Sequence, residues 1–267
     1  MDRQHLPDAA LPAWTVGAAG LLSLAVAMGI GRFAFTPLLP LMLQTGQLDI
    51  AAGGWLAAAN YAGYLAGALT ASRTGWPAPR LGLAALGATA VLTAAMAPAG
   101  PAAWLALLRF LAGVASAWAF VATSIWCLGA LAARGPSSWS STLYAGVGLG
   151  IAGAGVVCLL GAAAGWPVQV LWIVLGVLAL SLAMPVAWVL KRAAPPGPVG
   201  GRLPPAAMPP SSAGLVACYA LLGFGYILPA TFLPALARQL VADPRLFGLA
   251  WPVFGAMAAL STWVAAR

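Results

Sequence analysis

Eight apolar runs, punctuated by glycine, proline and isolated charges, account for most of the chain: residues 14–43, 53–72, 80–98, 102–130, 139–163, 168–190, 213–237 and 246–265. A helix needs about 20 apolar residues to cross a hydrocarbon core, and these runs are of that order. Polar and apolar positions do not alternate within them, which excludes barrel strands. The pattern predicts an all-α integral membrane bundle of about eight transmembrane helices. The first run is longer than a bilayer requires, and Pro37 and Pro40 predict a kink in its outer half.

Composition agrees. The chain has 267 residues, of which 63% are hydrophobic and 6% charged, against about 25% charged in soluble domains. It contains no Glu, and its acidic residues are Asp2, Asp8, Asp49 and Asp243. With the N-terminus inside, Arg3, Arg73, Arg80, Arg134, Lys191, Arg192, Arg202 and Arg267 fall on the inner side, and only Arg238 and Arg245 on the outer side. That bias predicts a cytoplasmic N-terminus, and it explains the net charge of +8 without invoking nucleic acid. The N-terminal run is too long for a secretory signal and lacks a clear cleavage site.

The stretch 191–212, "KRAAPPGPVGGRLPPAAMPPSS", is rich in proline and glycine and reads as a cytoplasmic linker. It separates a six-span unit, residues 1–190, from two further spans in 213–267. The two parts are related. At an offset of 194, "GIGRFAFTPLLPLM" (29–42) aligns with "GFGYILPATFLPAL" (223–236), pairing Gly29 with Gly223, Gly31 with Gly225, and Pro40 with Pro234. Leu39, Asp49 and Gly54 also meet identical residues, Leu233, Asp243 and Gly248. Both segments run outward, so the repeat is parallel. A second unit of equal length would end near residue 384. The expectation is therefore a six-plus-six protein, truncated here after the eighth span.

Local motifs carry a family resemblance. "RFLAGVASA" (109–117) places Arg109 and Gly113 in an R-x-x-x-G pattern, "GVGLGIAGAG" (146–155) is a glycine-rich helix, and "GALTASRTG" (67–75) is a loop that keeps Gly67, Leu69, Arg73 and Gly75 but no Asp. Together with the parallel six-span repeat, these resemble the major facilitator superfamily of secondary transporters. "MGIGRFAFTPLLPLM" and "ANYAGYLAGAL" (59–69) resemble its bacterial YbfB/YjiJ-like branch. The resemblance implies a permease of the bacterial inner membrane that moves a small solute by alternating access, with export favoured over uptake. It implies no cofactor; the partners are the lipid bilayer, a small-molecule substrate and protons as a candidate coupling ion. The missing loop Asp and the Ile151 that stands where exporters carry proline are departures from the superfamily pattern.

Candidate site residues follow from the cost of burying polarity. Arg32 lies deep in the first run, where a charge costs about 2.5–3.5 kcal/mol on insertion scales, so it should face the bundle interior or a wet cavity. It either pairs with an anionic substrate group or a gating carbonyl, or ties backbone carbonyls at the Pro37 kink. The resemblance gives Arg109 a coupling or gating role; the alternative is carbonyl capping. Asn60 and Tyr64, spaced i, i+4, share a helix face and suit a hydrogen-bonded substrate or an interhelical bond. Tyr226 occupies the place of Arg32 in the repeat. Gly29, Gly31, Pro37, Pro40, Gly113, Gly146, Gly150, Gly223, Gly225 and Pro234 are the expected packing or hinge positions. Trp118, Trp126, Trp139, Trp172 and Trp188 are expected at lipid or the interface, and Cys127, Cys158 and Cys218 as buried inert thiols.

Enzymatic chemistry has little to work with. One His, no Glu, and no phosphate-loop, dinucleotide, GxSxG or HExxH motif leave no metal set and no acid–base pair. None of the acidic residues falls inside a run, so a proton-coupling carboxylate is not among these spans. The competing expectation is a non-transporting membrane interaction protein or an inactive fragment.

Overall fold

A computed structural model of the chain describes residues 11–135, 138–192, 213–225 and 244–265, the side chains of 244–247 excepted. Every regular element among them is helical. The first run comprises α1 (Ala13–Leu24), a π-helical segment (Ala25–Ile30) and α2 (Phe35–Gln44). Then come α3 (Ile50–Thr70), α4 (Ala78–Ala94), α5 (Ala102–Ala132), the short α6 (Trp139–Thr142), α7 (Ala145–Ala163), α8 (Val168–Arg192), α9 (Ala213–Gly225) and α10 (Pro244–Ala265).

Local chemistry sets the boundaries. Asp49 caps α3 by accepting a hydrogen bond from the Ala52 N–H at 2.7 Å. Pro77 and Pro101 precede α4 and α5, where a missing N–H costs nothing. Beyond α5 and α7 the chain turns at Gly135 (φ +89°) and Gly165 (φ +73°), in the left-handed region that glycine adopts without strain.

Five stretches are long and apolar enough to cross a membrane: Ala13–Gln44, Ala102–Ala132, Ala145–Ala163, Val168–Arg192 and Gly248–Ala265. They coincide with five of the eight predicted runs. The other three are less clear-cut. α3 has the length, at 21 residues, but four glycines with Asn60, Tyr61 and Tyr64 dilute its apolar character. α4 has 17 residues. The 213–237 run is described only as α9, and Tyr226, Pro234 and the 191–212 linker beyond Arg192 lie outside the described residues. The predicted fifth run is broken, with α6 separated from α7 at Leu143–Tyr144.

The most extensive helix pairs are α3 with α5 and α7 with α10, followed by α4 with α5 and α8. Glycine makes these approaches close. On α3, a Cβ at Gly63 would overlap the Phe110 carbonyl and one at Gly67 would fall 2.7 Å from the Val114 carbonyl; on α5, one at Gly113 would overlap the Asn60 carbonyl. In lipid, where apolar burial gives helices little reason to associate, such backbone contact is the main attraction. α7 has two glycine faces. Gly146 and Gly150 meet Leu21 and Ala25 of the first run, with Gly29 reciprocally against Gly150, while Gly148 and Gly155 meet Ala259 and Pro252 of α10. Gly223 and Gly225 of α9 have open space where a Cβ would go, so the close packing expected there is not seen among the described residues.

Two expectations change. Trp126 and Trp172 are buried in the core rather than facing lipid, whereas Trp188 is 46% exposed. Cys127 and Cys158 are buried, but Cys218, on α9, is exposed.

The α7 faces yield a direct test. Gly150→Ala should destabilise the protein by about 1–3 kcal/mol through overpacking. Gly153→Ala, with no neighbour within 4 Å of its Cβ, should leave stability unchanged or slightly raised. Unfolding midpoints in detergent measure both; equal midpoints would refute the two-faced packing.

Candidate functional site

The first run breaks in its middle, and the break organises the site. The Gly31 N–H donates to the Val26 carbonyl (2.9 Å) and the Phe33 N–H to the Met28 carbonyl (3.0 Å), both i to i−5. The Thr36 N–H then donates to Phe33 (3.2 Å), one residue short of the α-helical partner. The Arg32 carbonyl is thereby bypassed: Thr36 turns elsewhere, and Pro37, the next residue in reach, has no N–H. A bypassed carbonyl buried away from water costs about 1–3 kcal/mol unless a donor is found.

Arg109 is that donor. It projects from α5, is 3% exposed, and donates through Nη1 to the Gly31 carbonyl (3.2 Å) and through Nη2 to the Arg32 carbonyl (2.9 Å). Its guanidinium carbon also lies 4.9 Å from the Phe35 ring centroid. The backbone carbonyl of Arg109 accepts a hydrogen bond from Asn60 Nδ2 at 2.8 Å. One relay thus runs from α3 through α5 to the first run. Gly31 makes room for it: a Cβ there would fall 2.6 Å from Thr89 Cγ2 and 2.9 Å from Ser116 Oγ.

Arg32 itself occupies different ground. The carbonyls at the Pro37 kink, one of its expected partners, are held by Arg109. The half-buried Arg32 guanidinium lies over aromatic rings, 4.2 Å from the Tyr64 centroid, 5.2 Å from Tyr61 and 5.4 Å from Phe33. Each such contact contributes about 0.5–2 kcal/mol, depending on desolvation. The arrangement holds the Arg32 side chain against three rings.

The predicted residues therefore separate. Arg32, Asn60, Tyr64 and Arg109 do converge on the break. Asn60 and Tyr64, however, do not act as one face: Asn60 is 1% exposed and its amide nitrogen serves the α3–α5 interface, while Tyr64 is half-buried beside Arg32. Asn60 Oδ1 and Ser116 Oγ are buried without a hydrogen-bond partner among the described residues. Tyr61 and Phe33 join the Arg32 cluster. The i, i+4 spacing passes over Tyr61, and Phe33 is legible only as a neighbour of Arg32. The Gly63-x-x-x-Gly67 pair was readable as a close-packing motif, and Gly113 is its counterpart on α5.

The electrostatics are one-sided. Two guanidinium groups sit at the break, and Asp49 is the one carboxylate among the described residues, engaged as the α3 cap. No group of metal-ligating side chains occurs among the described residues. Such a positive, aromatic-lined locus is chemically suited to an anion.

Residues 24–267 match the family described as "uncharacterised MFS-type transporter YbfB". The chain belongs to this family of the major facilitator superfamily. No curated protein shows significant similarity to it. The match covers the break, both arginines and every helix from the π segment to α10. Membership, with the apolar helices, makes the chain a multi-pass membrane protein of a transporter family.

Replacing Arg109 isolates its backbone role. Arg109→Gln should strand at least one buried acceptor and cost about 1–3 kcal/mol, with Arg109→Lys intermediate because one ammonium cannot span both carbonyls as a planar fork does. Asn60→Ala should cost less, about 0.6 kcal/mol. Unfolding midpoints in detergent rank the three, and an Arg109→Gln protein as stable as the wild type would contradict the assignment.

Proposed function

We propose that the chain is a secondary transporter that moves a small organic anion across the bacterial inner membrane by alternating access, with Arg32 as the cation that meets the solute. The observation that carries this reading is the division of labour at the break: Arg109 is committed to two backbone carbonyls, while the Arg32 guanidinium is held among aromatic rings at a half-buried position. A carboxylate approaching Arg32 would gain a charge-assisted hydrogen bond there, and the rings of Tyr61 and Tyr64 favour an amphipathic anion.

In this reading residues 1–190 form a six-helix bundle with a cytoplasmic N-terminus, 191–212 a cytoplasmic linker, and 213–267 the first two helices of a second bundle, giving about eight spans. The parallel repeat and the bias of positive charge support it. The α7–α10 contact lies between the two units, and its glycines provide the low-relief surface that rocking of one bundle on another needs. A proton-coupled cycle would need a titrating group outside the described spans, which hold no carboxylate.

Purified protein in proteoliposomes should show saturable counterflow of an aromatic or aliphatic carboxylate and none of an isosteric cation. Arg32→Gln should lower kcat/KM about 10- to 100-fold, the loss of one charge-assisted contact, in a protein that still folds. Anion flux untouched by Arg32→Gln would overturn the assignment of Arg32.

A further inference from the structure

Two arginines outside the candidate site each lie against a tryptophan at one end of the bundle. The Arg80 guanidinium carbon is 5.9 Å from the Trp76 ring centroid, and that of Arg192 is 4.3 Å from the Trp188 ring. Both rings are about half exposed, 51% for Trp76 and 46% for Trp188.

The two pairs sit on neighbouring helices. α4 and α8 pack extensively, and Gly176 of α8 meets Ala90 and Ala94 of α4. That contact joins the C-terminal end of α4 to the N-terminal third of α8, so extensive packing requires the helices to be antiparallel. Fourteen residues along each helix, about 21 Å, leads from Gly176 to Leu190 and from Ala94 to Arg80. Arg80, Lys191 and Arg192 therefore share one rim, and all three are exposed. Asp49 lies at the other end of α3 from Arg73, about 30 Å away. The rim is basic, with no described carboxylate to neutralise it.

The surface leading to the rim is apolar and graded. On α8 the exposed residues Ile173, Val177, Leu180 and Met184 climb at helical spacing to Trp188, and Arg192 follows one turn later. On α4 the corresponding strip is low: Ala84 and Ala88 are small, and a Cβ at Gly87 would meet nothing within 4 Å. An apolar track, an amphipathic ring and then a cation follow the order of acyl chain, glycerol and phosphate in a phospholipid. Indole rings settle at headgroup level, and each nearby cation adds about 1 kcal/mol of attraction to an anionic lipid surface.

We propose that this α4–α8 edge binds an anionic phospholipid from the surrounding bilayer. The headgroup phosphate lies on Arg80, Lys191 and Arg192, the glycerol region against Trp76 and Trp188, and the acyl chains along the low strip of α4 beside the α8 ridge. The site is independent of the solute and of Arg32.

The test uses the full chain reconstituted in vesicles of equimolar palmitoyl-oleoyl phosphatidylglycerol and phosphatidylcholine, with bound lipid read by native mass spectrometry after mild extraction. Phosphatidylglycerol should be enriched about 100-fold over phosphatidylcholine, and each cation removed from the rim should lower that ratio on the order of fivefold. The triple variant R80Q/K191Q/R192Q should approach parity. Arg73→Gln, which removes an equal charge elsewhere at that end, should leave enrichment within about twofold. Free glycerol 3-phosphate should not displace the lipid. If the triple variant does not fold, the wild-type protein decides alone: its enrichment should collapse when salt is raised from 0.1 to about 1 M, where screening shortens to about 3 Å. Parity in the wild type, enrichment that survives the triple substitution or high salt, an equal loss in Arg73→Gln, or displacement by the soluble phosphate each overturns the proposal.

Discussion

The structure depends on the pair of hydrogen bonds from Arg109 to the carbonyls of Gly31 and Arg32. A transmembrane segment cannot leave its backbone unpaired in lipid, yet the first run is interrupted by a π-helical segment, a turn and Pro37. The guanidinium of α5 resolves both difficulties together: a charge that would be costly at that depth finds two acceptors, and the bypassed Arg32 carbonyl finds a donor. Because Asn60 in turn holds the backbone of Arg109, the positions of three elements are tied to one side chain. The Arg32 side chain lies against Tyr61 and Tyr64, so the break whose carbonyls Arg109 satisfies also carries the candidate solute contact.

Around this polar knot several helix pairs are held by close approach of backbones, beside a core that buries Trp126, Trp172 and Phe35. Gly63, Gly67 and Gly113 bring α3 onto α5, and α7 uses alternate glycines to approach the first run on one side and α10 on the other. A single buried hydroxyl pair, Ser23 with Thr123 at 2.6 Å, adds a polar link between α1 and α5. Close contact of this kind favours association by dispersion and has no deep knobs to unlock.

Much of this was legible in the sequence because membrane constraints act on composition and length. The apolar runs report a physical requirement that a single sequence exposes, and five of the eight are helices long and apolar enough to cross a membrane. Where the reading went astray, the deciding quantity was rotational. Which of two arginines caps the kink depends on helix facing: the sequence leaves carbonyl capping open for both Arg32 and Arg109, and α5 aims Arg109 at the carbonyls of Gly31 and Arg32. Trp126 and Trp172 are indistinguishable by composition from interfacial tryptophans, yet α5 and α8 turn them inward. Asn60 and Tyr64 keep the expected i, i+4 spacing, but Asn60 is buried against the backbone of α5 while Tyr64 meets Arg32 of the first run. The π-helical segment has no sequence signature beyond the nearby glycines and prolines, and with it the Gly31 and Phe33 N–H groups take i to i−5 partners.

The central claim is that Arg109, and not Arg32, holds the broken first span. Hydrogen–deuterium exchange of the backbone amides in residues 26–36, compared among the wild type, Arg109→Gln and Arg32→Gln in the same detergent, tests it most directly. The account predicts faster exchange across that segment in Arg109→Gln and wild-type protection in Arg32→Gln. Loss of protection in Arg32→Gln, with Arg109→Gln unchanged, would contradict it.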